Sequence, residues 1–113
     1  MSCWSALVAE KKGPRVEDLV KHVDHLVNLV GVDSIGLGPD FADMKICSAW
    51  TGGRGYMEGV FYGDTDQCCL EDVDTIDKFP VITDALLKRG YADADILKIL
   101  GGNLLRLYGK VIG

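Results

Sequence analysis

A chain of 113 residues, 48% hydrophobic and 26% charged, has the length of one domain or less. At about this size a chain hides roughly 60–70% of its unfolded surface, enough for a real core. A formal net charge of −5 and a pI near 4.8 exclude a nucleic-acid grip, which needs Lys and Arg clustered on one face.

Before Pro14 the pattern is uninformative: Trp4 and the Ala6-Leu7-Val8 run suit the end of a strand or an unpacked leader. Neither a basic flank near Met1 nor an apolar run of roughly 18–20 residues occurs, so no signal or membrane span is predicted and a soluble, cytoplasmic chain is expected. Pro14 then marks a helix start. Glu17 and Asp18 place negative charge in the first turn, and Val16, Leu19, Val20, Val23, Leu26, Val27 and Val30 recur at helical spacing. This predicts an amphipathic helix of about 15 residues stopped by Gly31.

The stretch Val32–Phe41 follows almost at once. Its aliphatic run predicts a strand over Ile35–Gly38, Pro39 forbids further ladder pairing, and Asp40 is delivered at the strand's carboxyl end, where α/β sheets and barrels build their chemistry. A helix, a tight loop and a strand in that order belong to a parallel sheet. From Phe41 to Asp77 all periodicity is lost, which for so long a stretch signals a functional or disordered loop. Helical pattern returns from Pro80 to Arg89, closed by basic residues and Gly90. A further helix is predicted over Ala94–Leu100, with Asp93 as its cap, and Gly101-Gly102-Asn103 breaks it before a last helix through Leu104 and Tyr108.

Several residues invite chemistry. Asp40 could serve a site or merely cap its loop. His22 and His25 could share a metal, but the apolar stripe passes between them, so structural roles are favoured. Asp64-Thr65-Asp66 lacks the offsets of a calcium loop, Gly52-Gly53-Arg54-Gly55 lacks the Lys of a phosphate loop, and a loop-to-helix contact is the simplest role for Glu71-Asp72. Cys3, Cys47, Cys68 and Cys69 form no C-x-x-C pair; free thiols are expected, with a bridge from Cys3 or Cys47 to the adjacent pair left open.

Two groups of residues carry a family resemblance. His22-Val23-Asp24-His25-Leu26, Gly31-Val32-Asp33 and Gly36-Leu37-Gly38-Pro39-Asp40-Phe41 resemble the D-H-I-D-H-I…G-V-D-H-V-G-I-G-S-D-F-D-G segment of the membrane dipeptidase (renal dipeptidase, peptidase M19) family. Leu70-Glu71-Asp72-Val73, Phe79-Pro80, Thr83 to Tyr91 and Ile99 to Arg106 are similar to that family's C-terminus. The match covers residues 15–110.

The resemblance implies the C-terminal βα portion of a (β/α)8 metallohydrolase barrel, α/β in class, helix-rich at its end and incomplete, since a whole barrel needs about 250 residues. Residues 15–43 would form the helix-strand unit, 44–79 a Gly- and Asp-rich loop, and 80–113 the C-terminal helices of one partial domain. It implies hydrolysis of dipeptides at a two-zinc site whose ligands lie upstream, none mapping onto this chain. Asp40 maps onto the proton-transfer aspartate, a carboxylate that takes a proton from water and passes it to the leaving amine. The usual second acid of the motif is Ala42 here, and its serine is Pro39. The alternative is a non-catalytic α/β module that covers its open edges by oligomerising or by binding a complementing chain. Whether the chain is an enzyme by itself is left open by the absent ligands.

Overall fold

The computed structural model describes residues 1, 8, 13–39 and 70–113. Its first long element, helix α1 (Val16–Val30), begins two residues after Pro14, which is itself fully buried, and stops at Gly31, whose φ of 79° suits a residue without a Cβ. The start is held from two directions. Asp18 Oδ2 accepts the Arg15 N–H at 3.1 Å, the returning half of a capping box, and Asp72 Oδ1 accepts the Val16 N–H at 2.9 Å from far along the chain. Glu71 adds its own N–H to the Pro14 carbonyl at 3.0 Å. The loop-to-helix contact expected for Glu71-Asp72 is thus present, and a carboxylate meets the positive end of the helix dipole.

Helix α2 (Pro80–Arg89) starts on proline, ends in Lys88 and Arg89, and is closed by Gly90 at φ 97°, with the Tyr91 N–H returning to the Leu86 carbonyl at 3.2 Å. It packs on α1. Leu19, Val20 and Val23 of one helix and Ile82 and Leu86 of the other meet in a core completed by Val8, Leu37, Leu70, Val73, Ile96 and Ile99. The tail of the long aperiodic stretch is therefore built in: Leu70 and Val73 are both 1% exposed, and a single 3₁₀ turn over Ile76–Lys78 leads to α2.

Helix α3 (Asp93–Leu97) is shorter than the sequence predicts and is preceded by Ala92 rather than capped by the Asp93 side chain. The break expected at Gly101-Gly102 is present: Gly101 is non-helical (φ 164°, ψ −20°), and across this kink the turn over Lys98–Gly102 meets helix α4 (Asn103–Val111). A Cβ on Gly102 would lie 3.1 Å from the Leu97 carbonyl oxygen, a tight approach.

The strand predicted over Ile35–Gly38 is not found, and the described residues, which are helix-rich, hold no strand. Val32–Ser34 make a 3₁₀ turn, and from Ile35 (φ −107°, ψ 139°) the chain is extended without a continuous ladder. The reason lies in where its backbone groups go. The Leu37 N–H donates to the Ile99 carbonyl at 3.2 Å, and side chains take other carbonyls of the segment. Among the described residues Met1 pairs as a strand neighbour would: its amino group donates to the Gly36 carbonyl at 2.8 Å and its carbonyl accepts the Gly38 N–H at 2.7 Å, the bracket of a parallel bridge.

Candidate functional site

Asp40 lies outside the described residues, as do all four cysteines, Gly52 to Gly55 and Asp64 to Asp66. What the structure does show is how the chain is held up to Pro39. Asn103, the first residue of α4, is buried at 7% exposure, and its Nδ2 donates to the Val32 carbonyl at 2.7 Å and to the Ile35 carbonyl at 2.8 Å. Buried amides are costly unless so paired. Beside it, Arg106 Nη2 donates to the Asp33 carbonyl at 2.5 Å, and Leu104 packs so closely on Gly36 that a Cβ there would come within 3.1 Å of its Cγ. The Gly-Gly-Asn-Leu-Leu-Arg run and the Gly-Val-Asp-Ser-Ile-Gly-Leu-Gly run, far apart in sequence, are one contact in space.

Charge reinforces it. Lys98 Nζ lies 2.9 Å from Asp33 Oδ1 and 3.1 Å from Asp95 Oδ1. The Lys98 hydrogen bond holds the exposed Asp33 carboxyl below the ordinary carboxylate range, and the bonds to Asp33 and then Asp95 raise the Lys98 ammonium in turn.

A second junction joins α1 to the end of α2. Asp24 accepts Arg89 Nε at 2.7 Å and the Tyr91 hydroxyl at 2.9 Å. Burial first, and then the hydrogen bond to Asp24, push the Tyr91 phenol up to about 12. His22 turns its Nε2 to the Val8 carbonyl at 2.6 Å, a structural contact, while His25 is exposed. The structure does not bring the two histidines together on a ligand. Among the described residues no three His, Cys, Asp or Glu side chains converge as metal ligands, so these residues do not fit a resident zinc site. An open cleft of about 590 Å³ lies between α1 and α2, with Asp24, Arg89, Lys21 and Asp84 on its walls. Asp24 is engaged by Arg89, and Lys21 by Asp18.

No family model matches the chain, and no solved structure matches it. Curated proteins do. Dipeptidase tcpJ of Claviceps purpurea is 33% identical over 96 residues, covering 85% of this chain and 17% of its own length, and Dipeptidase aclJ of Aspergillus oryzae is 32% identical over 94 residues, 83% and 17%. Dipeptidase 3 of Rattus norvegicus is 29% identical over 96 residues, covering 85% of this chain and 15% of its own length. The chain is a homologue of these dipeptidases over most of its own length. It spans about a sixth of the length of those relatives. Within the matched segment sequence reasoning missed the contacts of Asn103 and Arg106, which it placed in the family-like run from Ile99 to Arg106 without a role for either side chain. The one available signal was Asn directly after Gly-Gly: a helix-starting Asn whose amide is not needed by its own helix is free to bond elsewhere.

Proposed function

We propose that the chain is the C-terminal portion of a zinc-dependent dipeptidase and that Asp40 is its proton-transfer group, with a (β/α)8 barrel and the two metal ions completed by upstream residues. The observation that carries this reading is the joining of the two family-like motifs. The segment that ends one residue before Asp40 is clamped by the C-terminal helices through Asn103, Leu104 and Arg106. Support for the reaction comes from the names of the relatives, each a dipeptidase. The chemistry asks for such a carboxylate: hydrolysis of an amide needs a group that accepts a proton from the attacking water and returns one to the departing amine. Zinc, when bound, supplies Lewis acidity and an acidified water. The described residues offer no ligand set for it.

The test is a chimera in which this chain replaces the matching segment of one dipeptidase relative. The chimera should cleave a dipeptide such as Gly-Leu and hold zinc, and Asp40→Asn should lower kcat by about 10²–10⁴-fold with zinc content unchanged. A folded, zinc-loaded chimera whose activity survives Asp40→Asn defeats the reading. The 113-residue chain alone should neither hold stoichiometric zinc nor cleave the dipeptide.

One observation favours the alternative, a non-catalytic interaction module. In α4 and its last turn Leu105, Leu107, Tyr108, Val111 and Ile112 are 73, 50, 55, 73 and 79% exposed, and at about 100° per residue they share an arc opposite Arg106 and Lys110. On this reading the face covers a second copy of the chain. A strictly monomeric, well-folded chain by light scattering counts against it.

A further inference from the structure

Helix α4 is amphipathic the wrong way round for a helix that faces water. Its polar residues Asn103 and Arg106 turn inward to the Val32, Ile35 and Asp33 carbonyls, while Leu105, Leu107, Tyr108, Val111 and Ile112 stand exposed on the opposite arc. Exposure of large apolar side chains continues on the elements joined to the start of α4. Leu97, whose carbonyl lies against Gly102, is exposed, and so are Leu29 and Val30, just ahead of the clamped Val32. The α4 arc alone presents about 600–700 Å² of apolar surface, above the roughly 300–600 Å² of the largest patch on a typical monomer. With Leu29, Val30 and Leu97 the total is on the order of 1,000 Å², which is what each side of an obligate interface buries, a core cut in half.

We infer that the apolar face of α4 is a seam, and that its occupant is an apolar wall from the part of a dipeptidase that lies outside the matched segment. The inference rests on the reading of this chain as a portion of a dipeptidase. Length argues for that occupant: in each relative the matching segment is only 15–17% of the chain, so there it is embedded in a much larger body. A second copy offers no complementary charge. Helix α4 carries Arg106 and Lys110 with no Asp or Glu, and each whole chain carries −5.

The experiment compares the chimera with the 113-residue chain alone. Each carries Leu105→Gln together with Tyr108→Gln, or Lys110→Gln as a control on the polar side of α4. Glutamine is a good helix former, so a change reports on the face and not on the helix. In the chain alone the paired substitution should leave the melting temperature within about 4 °C, as at exposed positions, and light scattering should show a monomer. In the chimera it should lower the melting temperature by about 5 °C or more, and Lys110→Gln by less than about 2 °C. Leu105→Gln by itself repeats the comparison if the paired chimera does not fold. A chain that is dimeric alone and monomeric with the paired substitution has a second copy as its occupant, which overturns the inference. A comparable loss of stability in a monomeric chain alone shows the face serving the chain's own fold and overturns it too. So does a chimera that folds, cleaves Gly-Leu and melts no higher than its paired variant, an outcome that leaves the dipeptidase reading standing. If the chain alone is insoluble, the contrast between the paired substitution and Lys110→Gln in the chimera decides. An unsubstituted chimera that fails to fold, or folds without cleaving Gly-Leu, defeats the dipeptidase reading and the seam with it.

Discussion

Removing the Asp24 carboxylate should loosen the join between α1 and α2 by an amount the structure lets one work out. Asp24 accepts the Tyr91 hydroxyl at 2.9 Å and Arg89 Nε at 2.7 Å, with its side chain 22% exposed and that of Arg89 60% exposed. A hydrogen bond to a charged acceptor contributes about 1.5–3 kcal/mol, and an ion pair this open to solvent about 0.2–1 kcal/mol. Asp24→Ala should therefore cost about 2–3 kcal/mol, a large share of the roughly 5–15 kcal/mol available to a domain. The same cluster sets a pH dependence. Tyr91 titrates near 12 in the fold against 10.0 unperturbed, so the folded state holds its proton more tightly. That contribution is fully present below pH 10 and is lost as pH rises through about 12, worth about 1–2 kcal/mol after allowance for partial exposure. Urea unfolding of wild type and Tyr91→Phe across that window isolates it from the lysines, which titrate in both. Identical pH dependence in the two, or effects of Asp24→Ala and Tyr91→Phe that add within about 0.3 kcal/mol, would refute the coupling.

Three further outcomes are expected. Leu86→Ala should cost about 2–5 kcal/mol and Leu87→Ala less than about 1, because the first is fully buried and its neighbour 47% exposed; thermal melts of the pair check this. Gly90→Ala should destabilise by about 1 kcal/mol or more through φ alone, since no atom lies within 4 Å of the added Cβ, and a comparable loss on Gly109→Ala, in the interior of α4, would argue against a backbone cause. Asp33 is held below its ordinary 3.8 by Lys98, so its contribution is present above that pH and lost as pH falls through the lowered value. Asp33→Asn should flatten that acid limb at low salt and have little effect at about 1 M salt, where exposed pairs are screened.

The helices were readable because local chemistry settles them. The valine and leucine periodicity with Gly31 gave α1 over the 15 residues it occupies, and Pro80, Arg89 and Gly90 bounded α2. Ile35–Gly38 misled because β-branched composition reports burial, and whether an extended segment joins a sheet depends on what runs beside it. Here Ile99, Asn103 and Met1 do, from both ends of the chain. Gly101-Gly102 was readable as a break because glycine backbone leaves the helical region most cheaply, and Gly101 does so at φ 164° and ψ −20°. The role of Asn103 was hidden because its partners are long-range.

That separation also governs how the protein is made. At about 5–20 residues per second the ribosome releases α1 and the extended segment several seconds before Asn103 emerges. Through that interval the Val32 and Ile35 carbonyls must be satisfied by water. Leu19 and Val23 wait less long, because Ile82 and Leu86 emerge about 20 residues ahead of Asn103, so the α1–α2 core can form before the extended segment is clamped.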